Sequence, residues 1–151
     1  MIMRNAVYAG IALLLAILAL GTAPVQAGEN QMTVYKSPTC GCCKEWVKYM
    51  KANGFEMTTY DVKDLGPLKR MSGVTPQLAS CHTAFIGDYV VEGHVPADDI
   101  KRLLKEKPEA KGLTAPGMPV GSPGMEQGGK KQPYNVLLIG KDGRTRVYAR
   151  H

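Results

Sequence analysis

Aromatic and charged residues are scarce in this sequence, and both scarcities narrow its function classes. Aromatics make up 7% and charged residues 21% of the 151-residue chain, whereas 44% is hydrophobic, so the chain is too apolar to be disordered throughout. The net charge is +6, but the basic residues are scattered rather than gathered into a stripe with aromatics between them. The composition therefore predicts one modest folded domain and no nucleic-acid partner.

Long apolar runs are lacking except near the start of the chain. Arg4 precedes an apolar stretch from Ala6 to Leu20, and Val25-Gln26-Ala27 has small residues at the −3 and −1 positions of a cleavage site. An uncleaved membrane anchor would need roughly 20 apolar residues, and this stretch is shorter. We therefore predict a signal peptide over residues 1–27, export to the periplasm, and no membrane attachment after cleavage.

The mature chain alternates between strand-like and helix-like patterns in the order βαβαββα. This is the element order of a thioredoxin-like α/β fold with a small mixed sheet, in which the early βαβ unit is parallel and a later hairpin is antiparallel. The hairpin is predicted around Gly87-Asp88, two residues suited to a tight turn. The predicted strands cover residues 32–35, 55–62, 83–86 and 89–95.

Three helices are predicted from apolar spacing and capping signals. The first ends at Asn53-Gly54 and the third begins at Pro96 and stops at Pro108. Asp64 is suited to cap a short second helix between them. The residues expected to face the core are Cys43, Trp46, Val47 and Met50 in the first helix, Leu65, Leu68 and Met71 in the second, and Ile100, Leu103 and Leu104 in the third.

Residues 112–133 are rich in glycine, proline and methionine and contain the triplet Pro-Gly-Met twice. We interpret this segment as an extended loop that contains neither a helix nor a central strand. Beyond it, residues 134–139 and 145–149 flank a strong hairpin signal. The predicted organisation is a core over residues 28–111, followed by the loop and a C-terminal β-hairpin over residues 112–151 packed on that core.

Cys40 and Cys43 form a C-x-x-C pair between the first strand and the first helix. Unpaired backbone N–H groups and the helix dipole at such a position stabilise a thiolate, and they can lower a cysteine pKa from about 8.5 to roughly 3.5 to 7.5. The spacing therefore predicts a reactive dithiol. In a thiol-disulfide oxidoreductase Cys40 would be the more exposed nucleophile and Cys43 the resolving thiol.

Two further cysteines change this interpretation. Cys42 lies inside the C-x-x-C pair, and Cys81 precedes a strand whose start should lie beside the first helix's N-terminus. Four sulfurs would then share one small site, a set of soft ligands suited to Cu(I), Zn(II) or a polynuclear thiolate cluster. Two alternatives stay open, namely two structural disulfides and a dithiol redox site in which Cys42 and Cys81 are bystanders. Metal binding is favoured because adjacent cysteines make poor structural cross-links.

Other soft or titratable residues lie near these cysteines in the sequence. His82 follows Cys81 and is a candidate ligand or base. Met118 and Met125 lie in the glycine- and proline-rich loop without an apolar period around them, so each is a candidate thioether ligand or shield. We expect His94, in the second hairpin strand, to be solvated or hydrogen-bonded rather than a ligand.

Four separated motifs resemble the CopG-like family of exported metal-binding proteins. They are Ser-Pro-Thr-Cys-Gly-Cys-Cys at 37–43, Ser-Cys-His-Thr at 80–83, Val-Glu-Gly-His-Val-Pro at 91–96, and the loop segment at 117–126. The resemblance implies a thioredoxin-like core, a role in copper resistance, and copper held by sulfur ligands at Cys40, Cys42, Cys43 and Cys81. It also implies that His82 and the segment from Met118 to Met125 lie close to the site.

These observations lead to one hypothesis and one rival. The hypothesis is an exported copper-binding protein that holds Cu(I) through thiolates and couples binding to disulfide formation between Cys40 and Cys43, so that it could act as a thiol/copper oxidoreductase. Its partners would be copper ions and other periplasmic copper-handling or thiol-redox proteins. The rival is a periplasmic thiol-disulfide oxidoreductase acting on protein cysteines, and zinc is the alternative metal.

Overall fold

The computed structural model describes residues 28–151, so the predicted signal peptide lies outside the described residues. Ten elements follow one another in the order that the sequence predicts, with one additional strand. Within residues 28–151 no helix is long and apolar enough to cross a membrane. The elements are β1 (Gln31–Lys36), α1 (Gly41–Ala52), β2 (Glu56–Asp61), α2 (Gly66–Met71), β3 (His82–Ile86), β4 (Tyr89–Glu92), α3 (Ala97–Glu106), β5 (Ala110–Thr114), β6 (Asn135–Gly140) and β7 (Thr145–Arg150).

One mixed sheet contains all seven strands in the order β2-β1-β3-β4-β5-β6-β7. β1 pairs with β2 and β4 pairs with β5 in parallel, and the other four pairs are antiparallel. The predicted α/β class, the parallel βαβ unit and the antiparallel hairpin around Gly87-Asp88 are confirmed. The sheet is larger than predicted, because the two strands of the C-terminal hairpin extend it while Val136 and Leu138 join the core.

The prediction that residues 112–133 contain no central strand is wrong at the start of that segment. Residues 112–114 belong to β5, which lies between β4 and β6, and the predicted boundary at 111/112 falls inside this strand. Gly112 makes this position possible, since a Cβ built on it would lie 1.8 Å from the carbonyl oxygen of Val90. The glycine that argued against a strand therefore allows two backbones to approach closely.

The sheet has a buried cluster on each face. Val91 belongs to the larger cluster, which includes residues of α1 and α3, whereas its neighbour Val90 belongs to the smaller one, as expected when side chains alternate across a strand. Trp46 and Ile100 are fully buried in the larger cluster. All the residues predicted to face the core from α1, namely Cys43, Trp46, Val47 and Met50, are buried.

The predicted inward face of α2 is wrong. None of its residues is buried, and Met71 is 86% exposed. The apolar contact on this face of the sheet comes instead from Val74 and Leu78, in the turns that follow the helix. α2 therefore has no buried apolar stripe. Its Lys69 instead makes a polar contact with Glu92.

Candidate metal centre

The pairing of two strands brings the four cysteines together. β1 and β3 are antiparallel, and Lys36 at the end of β1 is the partner of His82 at the start of β3. The chain after Lys36 and the chain before His82 therefore meet at one end of the sheet. The sulfurs carried by these two segments all lie within 4.8 Å of one another, and they belong to Cys40, Cys42, Cys43 and Cys81.

Three of the sulfurs are held by the first turn of α1. Cys40 is the N-cap residue of this helix, and its sulfur accepts a hydrogen bond from the backbone N–H of Cys43 at 3.3 Å. Cys40 and Cys43 form a disulfide, whereas Cys42 and Cys81 are free thiols. The Cys42 sulfur lies 3.5 Å from that of Cys40 and 4.0 Å from that of Cys81. Cys43 is fully buried and the other three cysteines are half-buried.

The Cys81 thiol is held in its protonated form when no metal is present. Burial, followed by the neighbouring Cys42, raises its pKa to about 12. A metal ion binds the thiolate rather than the thiol, so binding at Cys81 must displace a proton.

His94 is hydrogen-bonded, which is one of the two states that the sequence analysis expected, but it also adjoins the cysteines, a contact that the sequence analysis missed. It is fully buried, and its Nε2 lies 2.9 Å from the Cys81 sulfur. Its Nδ1 lies 2.8 Å from the carbonyl oxygen of Pro123. Because a carbonyl only accepts hydrogen bonds, Nδ1 carries the proton and Nε2 directs a lone pair toward Cys81.

The predicted hairpin contained the information that places His94 beside Cys81. The two-residue turn at Gly87-Asp88 fixes an antiparallel register in which Thr83 pairs with Glu92. Continued by two residues, the same register sets position 81 opposite position 94. The contact between Cys81 and His94 therefore follows from the hairpin register when that register is extended past the ends of the two strands.

His82 lies on the other side of Cys81, with its Nδ1 3.3 Å from the sulfur. Its ring centroid is 4.4 Å from that of Trp46 and 5.0 Å from that of His94. Burial, with smaller contributions from His94 and Lys69, lowers its pKa well below the ordinary 6.5, so the imidazole is neutral. Within residues 28–151 its buried Nε2 has no hydrogen-bond partner. Cys81, His82 and His94 thus form a second group of donor atoms that meets the four cysteines at Cys81.

A buried carboxylate supports the chain just before Cys81. Glu92 is fully buried and accepts hydrogen bonds from the backbone N–H of Ser80 at 2.6 Å, from the Thr83 hydroxyl at 2.7 Å and from Lys69. Desolvation raises the pKa of this carboxyl, and the Lys69 ammonium opposes that shift. The pairing fixes the backbone from which Cys81 projects, and the sequence analysis did not anticipate it.

The glycine- and proline-rich loop returns to the cysteines. Gly117 pairs with Ser80, and Pro123 contacts His94. Met118 follows the first of these contacts and is 54% exposed, and Met125 follows the second by two residues and is half-buried. The backbone that carries both predicted methionines is therefore held beside the sulfur-rich end of the sheet.

A cavity in the described residues lies away from the cysteines. It has a volume of about 610 Å³ and is lined in part by Gly28, Phe85 and Tyr89, where β1 begins and β3 ends. No cysteine lines it. The candidate site is therefore a compact set of side chains at the opposite end of the strands, separate from this cavity.

Comparisons with known proteins relate this chain to one family model and to two solved structures. Residues 78–125 match a family described as "Protein of unknown function, DUF411". Two solved structures, described as copper resistance protein CopG in Form 1 and Form 2, are each 42% identical to this chain with a TM-score of 0.77. The match covers 80% of this chain and 96% and 97% of theirs. Among curated proteins none is significantly similar in sequence.

Proposed function

This chain belongs to the family of the copper resistance protein CopG, and from that premise we propose that it binds Cu(I) through the sulfurs of Cys40, Cys42, Cys43 and Cys81. The observation that carries the proposal is the placement of all four sulfurs within 4.8 Å of one another. Thiolates are soft ligands that favour Cu(I), and sulfurs this close can bridge more than one ion.

The proposed ligand set extends beyond the cysteines. The neutral imidazoles of His82 and His94 adjoin Cys81, and imidazole is also a good copper ligand. Met118 and Met125 supply thioethers on the neighbouring loop and would bind or shield the metal from the solvent side. Four thiolates also make a tetrahedral zinc site, and imidazole suits zinc as well as copper, so the preference for copper comes from the family.

The disulfide between Cys40 and Cys43 supports a coupling of copper binding to redox chemistry. In the proposed reaction the two reduced thiols give one electron to each of two Cu(II) ions. The products are two Cu(I) ions, one Cys40–Cys43 disulfide and two protons. Return to the dithiol needs two electrons and two protons, which two external thiols supply as they form one disulfide. Cys42 and Cys81 stay reduced throughout, and the full set of four thiolates that binds Cu(I) is restored only when the dithiol returns.

We place this activity in the periplasm. The predicted signal peptide over residues 1–27 and a disulfide in the folded chain both suit an oxidising compartment. The proposed partners are copper ions and periplasmic proteins that deliver or receive copper.

A second candidate function is thiol-disulfide exchange with protein cysteines. A disulfide at a helix N-terminus favours it, because that position makes the released thiolate a good leaving group.

Anaerobic titration of the reduced protein with Cu(I), followed by elemental analysis and free-thiol counting, separates the two functions. We expect two or more retained Cu(I) ions per chain, four reactive thiols in the reduced metal-free protein and two in the oxidised protein. No retained copper, together with rapid exchange with protein disulfides, would support the second function instead.

A further inference from the structure

A segment of the glycine- and proline-rich loop crosses the cysteine site, and we call residues 115–125 the strap. Its first contacts are with the chain just before Cys81. The Gly117 N–H donates to the carbonyl oxygen of Ala79 at 3.0 Å, and the Ser80 hydroxyl donates to the Gly117 carbonyl. Ser80 and Gly117 thereby form a short parallel β-bridge.

The other end of the strap lies directly against α1. Gly124 has a φ of +83°, and a Cβ on it would lie 2.7 Å from the backbone nitrogen of Trp46 and 2.8 Å from the carbonyl oxygen of Cys42. Only glycine allows this approach, because both contacts are with backbone atoms that cannot turn aside. Between the two ends, the Pro123 carbonyl accepts the hydrogen bond from His94.

These contacts occupy the backbone that a polypeptide would need in order to dock. An extended peptide binds a folded protein most readily by adding its backbone to a free strand edge. Beside Cys81 the backbone is already bonded, because Gly117 of the strap takes the Ala79 carbonyl and the Glu92 carboxylate takes the Ser80 N–H. Gly124 of the strap also lies against the first turn of α1 at Cys42. The strap does not enclose the site, since Cys40, Cys42 and Cys81 are each only half-buried.

We propose that the strap is the specificity determinant of this site, and that it excludes protein disulfides while it admits metal ions and low-molecular-weight thiols and disulfides. The inference rests on the proposed function, because it explains how a helix-terminal dithiol serves copper rather than protein cysteines. It also assigns the class of external reductant, which is a small thiol rather than a redox protein.

Exchange of the reduced protein with a small disulfide has two steps. The Cys40 thiolate attacks one sulfur of a disulfide such as glutathione disulfide, forms a mixed disulfide and releases one glutathione thiolate. The Cys43 thiolate then attacks the Cys40 sulfur, restores the Cys40–Cys43 disulfide and releases the second glutathione thiolate. One disulfide is reduced and one dithiol is oxidised, with no other reactant.

The experiment compares a small and a large disulfide on the same reduced, metal-free protein. We expect the wild type to reduce glutathione disulfide while it reduces insulin no faster than the background. In Gly124→Val the added side chain pushes the strap off α1, so insulin reduction should rise at least tenfold while glutathione disulfide reduction stays within twofold. Ser80→Ala removes the hydroxyl bond to Gly117. It should likewise raise the ratio of the insulin reduction rate to the glutathione disulfide reduction rate.

Gly128→Val is the matched control. Gly128 also has a positive φ, of +54°, but a Cβ there meets no atom within 4 Å, so the backbone strain is similar and the strap is not displaced. This variant should keep the wild-type ratio.

Two results would overturn the proposal. One is a wild type that reduces insulin as fast as glutathione disulfide, and the other is a ratio that stays unchanged in the strap variants. Ser80→Ala decides the second point if circular dichroism shows that Gly124→Val is unfolded. Copper titration of the same preparations tests the proposed function separately, because loss of copper binding would leave the disulfide ratio intact.

Discussion

Cys81 joins the two donor groups of this site, since its sulfur contacts Cys42 on one side and His94 on the other. We predict that Cys81→Ser loses at least half of the bound Cu(I), because the hydroxyl of serine is a poor ligand for a soft ion. Anaerobic titration with elemental analysis measures the change. Ala79→Ser adds a hydroxyl to the same segment without removing a sulfur and should bind as the wild type does. Unchanged copper content in Cys81→Ser would remove this residue from the ligand set.

His82 makes the stability of the metal-free protein depend on pH. Burial keeps the pKa of its imidazole well below 6.5 in the folded protein, whereas the unfolded chain takes up a proton near pH 6.5. The neutral His82 imidazole therefore contributes fully to the free energy of unfolding above pH 6.5. This contribution is lost as the pH falls, at up to about 1.4 kcal/mol per pH unit for one proton.

Urea unfolding at pH 7, 6 and 5 measures this effect. The wild type should lose stability faster than His82→Gln as the pH falls, because the variant cannot take up that proton on unfolding. His94 has a pKa lowered by burial as well and contributes equally to both proteins. Identical pH slopes for the two proteins would contradict the prediction.

At the residue scale, the sequence predicted the metal-donor residues that can be placed from neighbouring residues or from the order of strands. The cysteine trio follows from adjacency and a helix start, and Cys81 follows from the order of strands. The pairing of Lys69 with Glu92 could not be predicted, since these residues are far apart in sequence and meet only because the Lys69 side chain reaches from α2 to β3 and β4. His94 was inferable, but only by extending a hairpin register past its strand.

At the scale of elements, β5 is the strand that the composition concealed. It has five residues, and its central position depends on partners on both sides rather than on its own propensity. Helices α1 and α3, by contrast, carry apolar periods and stop signals of their own, so their positions were predictable from sequence. Local sequence patterns fail to predict short strands, such as β5, that depend on the strands paired with them on both sides.

Gly112 provides a test of how tightly β5 is held. We predict that Gly112→Ala lowers the free energy of unfolding by about 3 kcal/mol, because its Cβ would overlap the Val90 carbonyl and force β4 and β5 apart. Gly143→Ala is the control, since a Cβ there meets no atom within 4 Å although φ is +83°. That variant should lose only the cost of its backbone conformation, about 1 to 2 kcal/mol. Equal losses in urea unfolding would mean that β4 and β5 separate readily.

At the scale of the whole molecule, the site ties together separate parts of the sheet and of the chain. The sulfurs come from α1 and from the segment before β3, and the strap brings in the chain beyond β5. A ligand that binds only when these parts are together stabilises the fold by mass action.

We therefore predict that Cu(I) raises the unfolding temperature of the reduced protein by at least about 5 °C when it is present well above its dissociation constant. The protein with the Cys40–Cys43 disulfide should shift much less, because two of its four sulfurs are bonded to each other. Differential scanning calorimetry under nitrogen compares the two forms. Equal shifts would show that the disulfide sulfurs are not needed.

The disulfide also sets how abruptly the protein can change its hold on metal. A single pair of electrons converts Cys40 and Cys43 together, so the number of sulfur donors falls from four to two without passing through three. Under the proposed function, cargo would leave in one discrete event at a threshold potential, rather than leaking away gradually as the surroundings become more oxidising.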